Sequence, residues 1–162
     1  ASSTCSGSER YDLWFNSDRR PSSSRCFLTS SWYSASVTSC ADCAGFHEKV
    51  LNHPGVLAEL KPFRVVRLDA HADTPITDLA GVRTTARAWA ESLGLTYRPG
   101  VVLFNEGKEA ARVEGRFYHY HFKEILRFVS GRHYQRYDRF GAYLNDRQQE
   151  LLRQGVDIDF GE

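Results

Sequence analysis

The chain has 162 residues, enough for one domain with a real core, and 41% of them are apolar, 13% aromatic and 25% charged, the composition of an ordinary globular protein. Lys and Arg number 21 against 20 Asp and Glu, a formal net charge of +1, so no broad field points to nucleic acid or an anionic membrane as partner. No apolar run approaches the roughly 18 residues that span a bilayer, which argues against membrane insertion by a helix. The chain starts at Ala1 and contains no Met, so the expectation is a start removed by signal-peptide cleavage or by trimming.

In chain order, residues 1–24 are rich in Ser, with one short apolar cluster at residues 11–15, and read as an irregular arm. Cys5 lies in this arm and Cys26 just beyond it. Bonded to each other, the two would staple the arm to the body, stabilising it by about 3 kcal/mol on the chain-entropy estimate and requiring an oxidising compartment. As free thiols they would do neither, and the sequence leaves both readings open.

Residues 26–32 form a β-type run, residues 34–39 a loop, and then come Cys40-Ala41-Asp42-Cys43. Two thiols one helical turn apart at a helix start suit disulfide exchange. The unpaired N–H groups and the helix dipole stabilise a thiolate at the first sulfur, and the second can resolve a mixed disulfide. Cys40 is therefore the candidate attacking thiol and Cys43 the candidate resolving thiol. A structural bridge is the competing reading; half of a zinc site is disfavoured because no second Cys pair exists. Cys43, Phe46, His47, Val50 and Leu51 recur at three- and four-residue spacing, giving the helix one buried face before Asn52-His53-Pro54-Gly55 ends it. His47 is a candidate modulator of the thiols, although a His on an inner helix face is more often simply packed.

A second helical segment is expected at residues 56–60, a strand at 63–69, a loop at 70–82 and an amphipathic helix at 84–93 closed by Gly94. Residues 101–104 are a continuous apolar strand, followed by a hairpin turn at 105–108 and a partner strand at 109–114. Helices are expected at about 120–130 and at 134–153, stopping at Gly155. The order β-α-β-α-β-β-α plus an extra C-terminal helix predicts an α/β fold, a mixed sheet flanked by helices. The Cys pair would then sit beyond the C-terminal end of the first strand, where open α/β sheets bind ligands.

His119, His121 and His133, with His71 and Asp73, lack the spacing of metal ligands on one face. Tyr134, Tyr137, Phe140, Leu144 and Leu151 interleave with Arg136, Arg139, Arg147 and Arg153. This is either a partner surface or, as the simpler reading, a packed helix with Arg stems lying over aromatic rings.

Through the Cys pair, and through Arg98-Pro99-Gly100-Val101-Val102-Leu103-Phe104 with the Glu106-Gly107-Lys108 turn, the chain resembles the thioredoxin superfamily. More narrowly, residues 101–129 and the long C-terminal helix resemble the periplasmic SoxW-like thioredoxin-related proteins. The resemblance implies a thioredoxin-like domain over residues 25–131 with a helical extension, 132–162, packed on it. It also implies that Pro99 follows a cis peptide bond and lies against the reactive disulfide.

The activity implied is thiol-disulfide oxidoreduction by Cys40, Cys43 and Pro99, with Asp42, Arg98 and His47 as modulators. Asp42 disfavours the thiolate and so favours the disulfide form, making a better reductant, while Arg98 acts the other way. No organic cofactor or metal is called for. The expected partner is a protein dithiol or disulfide, or a carrier of sulfur compounds, in the periplasm or outside the cell. The alternative from another class is a non-catalytic thioredoxin-fold scaffold whose Cys pair is a permanent bridge.

Overall fold

In the computed structural model of the chain, the described residues are 25–30, 45–97, 99–115 and 117–158. A four-stranded sheet lies at the centre, in the order β2-β1-β5-β6. Strand β1 (Arg25–Ser30) runs parallel to β2 (Arg64–Leu68) and antiparallel to β5 (Gly100–Asn105), and β5 pairs antiparallel with β6 (Lys108–Glu114). The expected mixed α/β sheet is therefore present.

Every residue of β5 is buried, as its unbroken apolar run requires of a central strand covered on both faces. Alternation along β5 divides the core. Val101 and Leu103 face a cluster that includes Phe46, Val56, Phe122, Leu126 and Val129, whereas Val102 and Phe104 face Val66 and Trp89. The β5–β6 turn is the two-residue kind, with φ 54° at Glu106 and 76° at Gly107, the left-handed pair that matches the twist of the flanking strands.

The first face is covered by helices α1 (Phe46–Leu51), α2 (Pro54–Leu60) and α4 (His119–Ser130). Helix α1 is a single wide turn of π-helical type, with Asn52 N–H donating to the His47 carbonyl at 3.1 Å. Pro54 ends it by lacking an N–H and at once opens α2, where a first-turn N–H has no helical partner in any case. His53 caps α2, its Nδ1 accepting from Gly55 N–H at 3.1 Å.

The second face carries α3 (Ala86–Ser92), with Trp89 stacked on Phe104 at 6.4 Å. Residues 70–82, expected to be a loop, contain half of a small antiparallel ribbon, β3 (Pro75–Thr77) against β4 (Arg83–Thr85). Three-residue strands are too short to leave a period-two signal. The turn is held by Asp78, whose carboxylate accepts from Ala80 N–H at 2.9 Å and Val82 N–H at 2.8 Å. Thr84 and Thr85 finish β4, so α3 begins at Ala86 rather than 84, with the Thr85 hydroxyl accepting from Ala88 N–H at 3.2 Å.

The expected helix over 134–153 begins only at Phe140, as α5 (Phe140–Arg153); His133–Gln135 is a separate 3₁₀ turn. Tertiary bonds draw these residues away from one helix axis. Arg132 takes φ 55°, its guanidinium reaches Glu106 at 2.6 Å, and Asn105 donates to the Tyr134 hydroxyl at 2.6 Å. Phe128 of α4 then packs against Tyr134, Phe140 and Tyr143, with ring centroids 5.3–6.2 Å away.

Candidate functional site

At one end of the sheet the last residues of β1, β2 and β6 lie in register with the start of β5. Ser30, the last residue of β1, pairs with Leu68 at the end of β2 and with Gly100 at the start of β5, and Gly100 pairs with Glu114 at the end of β6. Pro99 is buried directly before Gly100, so it sits beside the point where β1 ends. The chain ahead of it is anchored by Thr96, whose hydroxyl donates to Glu114 at 3.0 Å, and Tyr97 is left exposed.

Between Ser30 and α1 the sequence carries Cys40-Ala41-Asp42-Cys43. These four residues lie outside the described residues, as do Cys5 and Arg98. Cys26 belongs to β1, in register with Arg64 on one side and Phe104 on the other.

Helix α1, just after the Cys pair, is firmly seated. Phe46 is buried and meets Phe122 edge to face at 5.1 Å, and Val50 and Leu51 complete the buried side of α1. His47 is half-buried, its ring edge-on to Phe46 at 6.3 Å. It therefore packs against the aromatic side of α1 while keeping access to solvent.

The remaining histidines are spread apart. His119 opens α4 and stacks face to face on His53 at 3.9 Å. His121 packs among Phe117, Tyr118 and Tyr120, and burial pushes its imidazole below the ordinary range. His133 stacks on Tyr143 at 4.8 Å. His71 and Asp73 are exposed; Arg87 ties this loop down by donating to the His71 carbonyl at 2.7 Å and to Asp73 at 3.1 Å. Among the described residues no three His, Cys, Asp or Glu side chains converge as metal ligands would.

Sequence reasoning passed over Glu124. It is wholly buried on α4, and its two oxygens accept from Arg127 at 2.8 Å and from the Tyr143 hydroxyl at 3.1 Å. Arg127 also donates to Glu59 of α2 at 2.8 Å, so one guanidinium joins two helices while Tyr143 brings in α5. Burial, reinforced by the Glu124 charge, pushes the Tyr143 phenol well above its ordinary range, which keeps it a donor. The signal was in the sequence: Glu124 adjoins the apolar stripe of α4 and has an Arg three residues on.

No family model and no curated protein matches the sequence. Among solved structures, the chain is similar to a thioredoxin-fold protein from Helicobacter pylori, with a TM-score of 0.57 and 17% identity over 74% of this chain and 77% of that one. The parallel β1–β2 pair, the antiparallel β5–β6 hairpin and helices on both faces define the same class: this chain has a thioredoxin-like fold.

Proposed function

We propose that the protein is a thiol-disulfide oxidoreductase. One observation carries the reading. In a thioredoxin-like fold, the buried Pro99 stands at the start of β5 beside the end of β1, and the connection leaving that end is the one whose sequence holds Cys40 and Cys43.

The Cys40 thiolate attacks one sulfur of a substrate disulfide. A mixed disulfide forms, and the substrate's other sulfur leaves as a thiolate that takes up a proton. Cys43, deprotonated, then attacks the Cys40 sulfur; the substrate's second thiol leaves, and Cys40 and Cys43 remain joined as a disulfide. Two electrons have passed to the substrate, and another dithiol protein returns them. Pro99 and the neighbouring backbone position the substrate chain, Asp42 and Arg98 set the potential from opposite directions, and His47 tunes the thiols from α1.

The substrates are disulfides of proteins or of sulfur-compound carriers in the periplasm or outside the cell, a setting supported by the resemblance of residues 101–129 to SoxW-like proteins. An oxidising compartment also allows a Cys5–Cys26 bridge.

The test equilibrates the protein in graded dithiothreitol buffers and traps free thiols for mass spectrometry, with Cys5 and Cys26 followed separately. Reversible reduction of the Cys40 and Cys43 pair at roughly −300 to −120 mV is expected, together with loss of disulfide-reductase turnover in Cys40→Ser. A pair that reduces only on unfolding, or full turnover in Cys40→Ser, would overturn the reading in favour of a scaffold with a permanent bridge.

A further inference from the structure

Arg136, Tyr137, Arg147 and Arg153, from the interleaved Arg and aromatic stretch near the C-terminus that disulfide exchange does not use, line an open groove of about 560 Å³ between the 3₁₀ turn and α5. That volume suits a small molecule. Its inner wall is aromatic, formed by the stacked rings of His133 and Tyr143, with Tyr137 beside Tyr143 at 5.6 Å.

Charge in the groove is unevenly satisfied. Asp146 already accepts from the Tyr137 hydroxyl at 3.1 Å, and Glu150 accepts from Arg153 at 2.7 Å and from Gln154 at 2.5 Å. Hydrogen bonding from Arg153 holds the Glu150 carboxyl below its ordinary range, so it stays an anion already engaged. Arg136 and Arg147 are less well supplied. The Arg136 guanidinium lies over the Tyr137 ring at 5.4 Å, and no carboxylate lies within 4 Å of it among the described residues. Arg147 is ion-paired with Glu124 through Nε at 3.9 Å, beyond hydrogen-bond distance, while Arg127 and Tyr143 donate to that carboxylate. Two planar forks with donors to spare thus line a groove backed by flat rings.

We propose that this groove binds a small organic carboxylate, the acid group held by Arg136 and Arg147 and the flat body laid against the aromatic wall. The site is independent of the disulfide-exchange reading and would stand if that reading failed.

Nuclear magnetic resonance of the full chain tests it, following the arginine Nε–H signals during titration with benzoate, with neutral benzamide and inorganic sulfate as controls. Benzoate should give saturable shifts centred on Arg136 and Arg147. Arg136→Gln, which alters an exposed side chain, should weaken binding by about tenfold or more, the loss expected for a charged hydrogen bond. Shifts that do not saturate, that spread equally to Arg87 and Arg132, or that survive in Arg136→Gln would overturn the proposal. So would benzamide or sulfate binding as tightly as benzoate.

Discussion

Tyr143 shows how much one side chain can be asked to do. Its ring closes the core beneath Phe128 while its hydroxyl satisfies an oxygen of Glu124, a carboxylate with no solvent exposure. A buried ion pair adds little to stability by existing, but leaving one of its members short of partners is costly. Tyr143→Phe keeps the ring and removes only the donor, leaving that Glu124 oxygen with Arg147 at 3.9 Å, beyond hydrogen-bond distance in the native arrangement. The expected loss is about 1.5–3 kcal/mol in denaturant unfolding, the range for hydrogen bonds to charged groups. A change within a few tenths of a kcal/mol would mean that Arg127 and Arg147 satisfy Glu124 without the phenol. His53 is a second residue with a double task, capping α2 through Nδ1 and stacking on His119 of α4. An imidazole cap was not legible, because the sequence signal for a cap is a hydroxyl or a carboxylate.

At the scale of elements, local chemistry set the boundaries wherever it was strong. Pro54 separates α1 from α2, and α3, directly after β4, has its Thr cap. Thr85→Ala should cost about 1 kcal/mol by removing the acceptor for Ala88 N–H, and hydrogen exchange should show the loss first in the opening turn of α3. Protection unchanged throughout α3 would show that Trp89 packing alone fixes the helix start.

Elements were misread where long-range contacts outweighed local preference. The β3–β4 ribbon is stabilised by a carboxylate-stapled turn and by Ile76 packing on the sheet, features invisible in a stretch of Asp, Thr, Pro and Gly. The late start of α5 comes from Asn105 and Glu106 on the β5–β6 hairpin, more than 20 residues upstream, which hold Tyr134 and Arg132.

Across the whole molecule, two helix layers clamp one sheet, and Phe122 lies at the middle of the thicker layer. It is fully buried, meets Phe46 of α1, and belongs to the cluster that includes Val101 and Leu103 of β5. Phe122→Ala should destabilise the protein by about 3–5 kcal/mol, with α1 amides losing exchange protection earlier than those of α3. Equal loss in both helices would show that the two layers unfold together. The same clamp holds the segments on either side of the candidate thiols. Phe46 anchors the chain just beyond the Cys pair, and the β1–β5 register sets Pro99 beside the end of β1, so core packing fixes the two segments that flank the candidate site.

The amino-acid sequence by itself determined the periodicities, and with them the order of strands and helices that builds a mixed sheet, the hairpin turn at 105–108 and the unbroken apolar run of β5. Those features rest on interactions between residues a few positions apart, which leave a repeating trace in the chain. Only the tertiary structure decided which charges were buried, how the C-terminal aromatics bent around Phe128, and that Arg136 and Arg147 line one groove. Each of these depends on desolvation and packing between segments distant in sequence, where no local pattern reports which groups will meet.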